Sequence, residues 1–350
     1  MKYSIMTKSN GISRTSRIVL LTDLHLRSDY FPGFLEKQID TVVRLVNKKP
    51  PSHVVFLGDI FEKRNPRGEE MLAFDEILSK LKCKNIYVLR GNHDTIRKDG
   101  TSDTTLSLYK DKATIVNDTE THFIGGMDFD FIPHYEEEER IVADLEKSKN
   151  TVFGHFGFDG CVSNGYYAYE SYVKRAHFKK KLAFLGHIHK PKQYKNVYVL
   201  GTPYSNTFGE ANTQKYMHEI IIRDRKIEEV VKKPIDFGIR HIVCTLDELE
   251  DTNKKFNFAN FYTILRLKLD SLDSYAEIEL RDKIASQYKL AHIEVSFEDI
   301  LPKYSSWYNP TKQVFTIDDN IIDQYITSKD SVFSKQELYD ALNEIKSYEN

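Results

Sequence analysis

The sequence predicts an α/β protein whose largely parallel sheet is completed into a sandwich by antiparallel strands, followed by a small α+β module and two short helices. Three observations carry that prediction. Apolar runs of strand length alternate with amphipathic stretches of helical period in the first half; many of these runs end in Gly and a polar or turn residue; and the runs between Lys215 and Leu246 read as antiparallel strands. At 350 residues, with 40% hydrophobic and 29% charged content, the chain is long enough for a full core and more than one domain.

Taken in order, after an irregular start RIVLLTDLH reads as a strand, FLEKQIDTVVRLVNK as an amphipathic helix and HVVFLGD as a second strand. GEEMLAFDEILSKLK repeats the helix, and NIYVLRGNHD is a strand running into a polar turn opened by Gly91. TVFGHFG, KLAFLGHIH and NVYVLGTP continue the theme. KYMHEIIIRD, KIEEVVKK and IRHIVCTL are expected to finish the sandwich, and LDELEDTNKKFN reads as a linker. FYTILRLKL, SYAEIELRDKIASQY and LAHIEVSF form a strand-helix-strand module, and amphipathic helices near DDNIIDQYI and SKQELYDALNEIK end the chain. The expected domains are residues 1–248, 255–303 and 304–350.

Lys and Arg number 50 against 52 Asp and Glu, so a polyanion would be met by local basic patches rather than by a global field. Cys83, Cys161 and Cys244 are odd in number and far apart, which points to free thiols and a reducing compartment and against a zinc ribbon. The start MKYSIMTKSNGISRTS lacks the apolar core of a signal peptide, and no run reaches membrane-spanning length, so the expectation is a cytoplasmic protein.

LLTDLHL is an apolar strand interrupted by Asp23 and His25, which alternation along a strand would place on one face. Alone, this pattern fits a metal site, a hydrogen-bonded core pair or coincidence. Similar polar groups end the other strands: Asp59 in GD, Asn92 and His93 in GNHD, His155 in GH, His187 and His189 in GHIH. Asp, Asn and His together suit manganese, iron, zinc or magnesium, with no thiolate to favour soft metals, and Asp59 can bridge two ions through its two oxygens. His53, His122, His134, His177, His218, His241 and His292 lack such a context and read as core or boundary residues.

In this order D-x-H, G-D, G-N-H-D, G-H and G-H-x-H resemble the calcineurin-like metallophosphoesterases over roughly the first 210 residues. The resemblance implies a β-sandwich flanked by helices with a dinuclear centre. One metal would take Asp23, His25, Asp59 and His189, and the other Asp59, Asn92, His155 and His187. It also implies that His93 is the acid for the leaving alkoxide, with Glu62 of GDIFEKR as its candidate carboxylate partner. Two divalent ions, Mn2+ first and Mg2+ as the alternative, are the implied cofactors.

GDIFEKRNPRG, GTPYSNTFGE and the strand-helix-strand module resemble the SbcD branch, the nuclease subunits of double-strand-break-processing complexes, and most of all its compact bacteriophage form. This implies a 3′ to 5′ exonuclease and endonuclease acting on DNA in repair, recombination or replication. Residues 1–248 would be the nuclease domain, 255–303 a capping and DNA-binding domain, and 304–350 a helical tail gripping an SbcC-like SMC-type ATPase. A homodimer is implied, and the host cytoplasm is the location if the protein is viral. Lys63, Arg64, Arg67, Arg97, Lys98, Lys179, Lys180, Lys181, Lys190 and Lys192 are candidate phosphate-backbone contacts. The Tyr-rich segment GFDGCVSNGYYAYESY could stack on a base. Ile321, Ile322, Tyr325, Ile326, Leu338, Leu342 and Ile345 are the candidate partner-binding face. The alternative is a small-substrate metallophosphatase or nucleotide phosphodiesterase.

Overall fold

A computed structural model of the chain describes residues 15–96, 104–162, 168–269 and 274–297. They belong to one compact unit, Met1–Glu298. Arg97, Lys98 and the tail residues from Ile321 to Ile345 lie outside the described residues, as does the SWYNP turn.

Two six-stranded sheets form the body. In the first, β1 (Thr15–Leu21), β2 (His53–Leu57), β3 (Ile86–Leu89) and β4 (Thr114–Val116) run parallel, and β11 (Tyr216–Arg223) and β12 (Lys226–Pro234) add antiparallel strands beyond β1. In the second, β6 (Met127–Ile132), β7 (Thr151–His155), β8 (Ala183–Gly186) and β10 (Val197–Val199) run parallel between antiparallel edges β5 (Glu120–Ile124) and β9 (Lys192–Tyr194).

Side-chain alternation assigns each strand two buried faces. Ile18, Leu20, Val55 and Leu57 meet Phe129, Phe131, Phe153 and Phe184 of the facing sheet. Val19, Leu21, Val54 and Phe56 instead pack under α1 (Phe34–Asn47) and α2 (Gly68–Lys80), against Val42, Val46, Phe74 and Ile77. On the far side, Ile141 and Leu145 of α3 (Glu138–Lys147) cover Val152 and Leu185. Helix, sheet, sheet, helix is therefore the layer order, and continuous apolar runs such as IVLL follow from burial on both faces.

Two expectations fail here. IRHIVCTL, now β13 (Gly238–Thr245), does not join the sandwich but pairs in parallel with β14 (Phe261–Leu269), which pairs in parallel with β15 (His292–Phe297). Gly238 has φ +96 and lies so close to Thr41 that a Cβ there would sit 2.7 Å from its Cγ2. That turn carries the chain across α1, so Ile239 enters the core of the α1 layer. The supposed linker contains α4 (Leu249–Phe256), whose Leu249 and Phe256 are buried with Ile242 and Leu265. The strand-helix-strand module is present, with α5 (Ser274–Tyr288) between β14 and β15.

His218 and His241 are buried, and each is pushed down to about 4, chiefly by burial. The unfolded chain protonates these rings as pH falls through about 6.5, whereas the fold resists until about 4, so stability is lost across that window as pH falls. Unfolding in urea at pH 5 should require about 2 kcal/mol less per histidine than at pH 7. An unchanged midpoint and slope would contradict this account of their burial.

Candidate metal centre

The carboxyl ends of β1, β2 and β3 meet those of β7 and β8 at one end of the sandwich, where open α/β sheets place their functional groups. Asp23 and His25 do not lie on the strand itself. β1 stops at Leu21, and both residues take left-handed backbone, φ 53 and 46, on either side of buried Leu24. Asp59 and His187 are left-handed too, at φ 51 and 82. Asp and His tolerate this region better than most residues, but such conformations persist only when their surroundings dictate them. Here the two loops bond to each other: Asp23 N–H donates to Gly58 O at 3.0 Å, His25 N–H to Asp59 O at 3.0 Å and Leu26 N–H to Ile60 O at 2.9 Å.

The glycines before Asp59, Asn92 and His187 have a steric reason. A Cβ on Gly58 would stand 2.4 Å from His155 Nδ1, one on Gly91 2.2 Å from Asp59 Oδ1, and one on Gly186 2.1 Å from Thr22 Oγ1. Only glycine lets these strand ends approach so closely.

The side chains form two groups that share Asp59. In the first, His25 Nε2 and His189 Nε2 are 3.1 Å apart, and both lie within 3.9 Å of Asp23 Oδ1. Asp59 Oδ2 is 3.7 Å from His25 Nε2. In the second, Asp59 Oδ1 is 3.3 Å from His155 Nε2, and Asn92 Oδ1 is 3.1 Å from His155 Nε2 and 2.9 Å from His187 Nδ1. One carboxylate thus turns an oxygen toward each group. Asp23, His25 and His189, and likewise Asp59, His155 and His187, bring donor atoms within 4.8 Å of one another, close enough to surround a cation. Oxygen and imidazole donors without sulfur, four of them buried and three partly buried, fit a hard or borderline divalent ion.

The electrostatics follow from crowding opposite charges in a buried place. Burial resists ionisation of Asp59, but His155 and His25 outweigh it and hold its carboxyl well below the usual range. Burial likewise disfavours the His25 and His155 imidazolium ions, yet Glu62, Asp59 and Asp23 push His25 up to about 9, and Asp59 pushes His155 up to about 9. His187, buried beside His155, is pushed down to about 3.

Several supports escaped the sequence reading. Glu210 is buried, with Oε1 2.9 Å from His189 Nδ1, while Oε2 accepts from Thr202 Oγ1 at 2.7 Å and from Lys215 Nζ. Burial opposes its ionisation, but Lys215 and His189 hold its carboxyl well below the usual range. Asp94, fully buried, accepts from the Asp59, Ile60 and Gly91 N–H groups and so fixes the turn that carries Asp59. Gln38 donates to the carbonyls of Leu24 and His25, and Asn206 to that of Asp23. GTPYSNTFGE contains Glu210 and Asn206, and the D of GNHD is Asp94, so the signal was present without a sequence-level way to aim it.

His93 joins the centre: its N–H donates to Asp59 Oδ1 at 2.9 Å, and its ring stands edge-on to His25 with centroids 5.0 Å apart. Glu62 does not partner it as expected. His93 Nδ1 faces the Glu62 main-chain carbonyl at 2.5 Å, while the carboxylate turns to His25 Nδ1 at 3.1 Å and Arg27 at 3.8 Å. His134, read as a boundary residue, stacks on His187 with centroids 5.7 Å apart. Tyr169, from the Tyr-rich segment, places its hydroxyl 3.4 Å from His187 Nε2.

The basic candidates divide. Lys181 is tied to the carbonyls of Leu145 and Ser148 at the end of α3, which needs cations for its orphan carbonyls, so it does not project with Lys179 and Lys180, which are exposed. Lys63 and Arg67 both pair with Asp29 and keep exposed side chains, whereas Arg64 donates to Thr95 Oγ1. Lys192 lies over the Tyr194 ring, 5.0 Å from its centroid.

A profile of the calcineurin-like phosphoesterase family matches residues 16–191, half of the chain, and the chain belongs to that family. The domain is thus a metallophosphoesterase. Within that class, the chain is similar to the DNA double-strand break repair protein Mre11 of Methanosarcina mazei, 32% identical over 96 residues that make up 24% of this chain and 15% of that protein. It is also similar to the Mre11 protein of Methanococcus maripaludis, 30% identical over 142 residues, 36% of each chain. The matches therefore span well under half of those relatives. Among solved structures, a purple acid phosphatase from yellow lupin seeds is 10% identical, with a TM-score of 0.39 over 63% of this chain and 54% of that one.

Proposed function

We propose that the chain is a dinuclear-metal-dependent DNA nuclease, a 3′ to 5′ exonuclease and endonuclease that works with an SbcC-like SMC-type ATPase in recombination and repair. One observation carries the chemistry: Asp59 offers one oxygen to the His25 group and the other to the His155 and Asn92 group. Asp23, His25, Asp59 and His189 would hold one ion, and Asp59, Asn92, His155 and His187 the other, with Mn2+ as the expected metal and Mg2+ as the alternative. When bound, such a pair clamps phosphoryl oxygens and makes a hydroxide of bound water at neutral pH.

The chain's own residues do the rest. Asp94 and the His93 N–H fix the orientation of Asp59. Because the Glu62 carbonyl only accepts, His93 Nδ1 carries a hydrogen, and the doubly protonated ring would give its Nε2 proton to the departing oxygen and be left neutral. His93→Asn should keep metal binding and lower turnover by roughly 10²- to 10⁴-fold. Loss of an ion from the variant would make His93 a ligand instead.

DNA as substrate is supported by the similarity to two proteins named for DNA double-strand break repair. In this reading residues 1–248 carry the chemistry, 255–303 cap the site and 304–350 bind the ATPase, and the active form is a homodimer. Lys63, Arg67, Lys179, Lys180, Lys190 and Lys192, with Arg97 and Lys98, hold backbone phosphates, while Arg64 and Lys181 serve the fold first. No helix among the described residues is long and apolar enough to cross a membrane. Cys83, Cys161 and Cys244 are free thiols, which suits a reducing cytoplasm, that of a host if the protein is viral. The commitment of Arg64 and Lys181 to internal partners favours the second reading, a small-substrate phosphatase or nucleotide phosphodiesterase. Comparing Mn2+-supported cleavage of labelled oligonucleotides with that of para-nitrophenyl phosphate decides: oligonucleotide cleavage supports the nuclease, and hydrolysis of the small ester alone overturns it.

A further inference from the structure

The two groups of ligand-type residues differ in what stands behind their histidines. In the first group both distal imidazole nitrogens face carboxylates. His189 Nδ1 is hydrogen-bonded to Glu210 Oε1 at 2.9 Å, whereas His25 Nδ1 lies 3.1 Å from Glu62 Oε2 in an ion-pair contact without hydrogen-bond geometry. Each carboxylate is anchored by a cation on its other side, Glu62 by Arg27 at 3.8 Å and Glu210 by Lys215. In the second group the backing is neutral. His155 Nδ1 faces the Leu57 carbonyl at 2.5 Å, and His187 Nε2 faces the Tyr169 hydroxyl at 3.4 Å.

The ligand atoms repeat the contrast. Besides the shared Asp59, the first group has the Asp23 carboxylate, where the second has the neutral Asn92 amide. A carboxylate behind a ligating imidazole fixes the ring and makes its free nitrogen a better donor, and removing such a partner typically costs 10- to 100-fold in metal affinity. An extra anionic ligand adds Coulombic attraction for a divalent ion.

We propose that Glu62 and Glu210 are positioning residues that make the His25 and His189 side of the centre the high-affinity metal site, so that the two ions load in sequence. The side formed by Asn92, His155 and His187 fills second and exchanges more readily. Glu210 is the deeper of the two anchors, 4% exposed, and it clamps His189 from the loop that precedes β11, where Lys215 closes the arrangement. Glu62, half-buried on the loop after β2, sets its negative charge beside His25. Glu62 therefore acts on metal affinity through His25, and not on the leaving group through His93.

This inference rests on the dinuclear reading, and the test separates the two. The full chain, stripped of metal with a chelator, is titrated with Mn2+ by calorimetry. The expected result is two binding steps whose dissociation constants differ by roughly 10-fold or more. Glu62→Gln and Glu210→Gln should each weaken the tighter step by roughly 10- to 100-fold and leave the weaker one within a few-fold. Glu210→Gln strands the Lys215 ammonium in the core, so Glu62→Gln, on a half-buried side chain, keeps the test decisive if the first variant fails to fold. Two steps of equal affinity, or variants that weaken the second step instead, overturn the loading order while leaving the dinuclear centre standing. Failure of the wild-type chain to bind any Mn2+ overturns the centre itself.

Discussion

Asp59→Asn is expected to abolish phosphodiester hydrolysis, by at least roughly 10³-fold, while leaving the fold intact. The reason is geometric. Asp59 Oδ2 looks toward His25 Nε2 at 3.7 Å and Oδ1 toward His155 Nε2 at 3.3 Å, so one carboxylate serves both halves of the centre. An amide keeps one oxygen, which can still accept the His93 N–H, but turns an NH2 toward the other half, where a cation would be repelled. Circular dichroism should match the wild type, and bound metal should fall below two ions per chain. Retention of near-normal hydrolysis by the variant would remove Asp59 from the centre.

Gly91→Ala should be nearly as damaging without removing a single ligand atom. A Cβ there would stand 2.2 Å from Asp59 Oδ1 and 2.3 Å from Asp59 N. The second contact is with backbone, so a side-chain rotation cannot relieve it. The Asp59 turn is also pinned by Asp94, through Asp59 N–H at 2.8 Å and Ile60 N–H at 3.0 Å. The strain is relieved only by parting the Gly91 and Asp59 backbones, which displaces the shared carboxylate. The expected outcome is loss of most activity together with a stability cost of about 1–3 kcal/mol. Assay and thermal melting check both, and a variant with wild-type activity would mean that the strand ends do not meet as closely as described.

The legibility of this protein in its sequence follows physical lines. Apolar runs buried on both faces are hard to mistake, and β1, β2, β3, β7 and β8 lie where IVLL, HVVFL, IYVL, TVFGH and AFLG stand. The G-D, G-N-H-D and G-H patterns were readable because steric necessity and chemistry coincide there, at Gly58, Gly91 and Gly186. β13 was misread because periodicity reports that a strand is buried, but not in which sheet; its direction was set by Gly238 against Thr41. The hairpin of β5 and β6 went unread although Gly125 and Gly126, both with positive φ, mark its turn between ETHFI and MDFDFI.

The supports of the centre were less legible than its ligand-type residues, for a related reason. Glu210 reaches His189 across 21 positions, and Gln38 reaches Asn206 across 168, distances along the chain at which local pattern carries no signal. The partners of Glu62 and Lys181 were likewise decided by tertiary neighbours. Glu62, expected beside His93, turns its carboxylate to His25 instead. A lysine in a basic run looks ready for phosphate, yet the carbonyls ending α3 take it.

Anomalous diffraction from crystals of the chain grown or soaked with Mn2+ should show two peaks roughly 3.5–4 Å apart, as two-metal hydrolytic centres require. They should lie on either side of Asp59, one against Asp23, His25 and His189 and the other against Asn92, His155 and His187. Peaks elsewhere, or none at this end of the sandwich, would contradict the dinuclear centre.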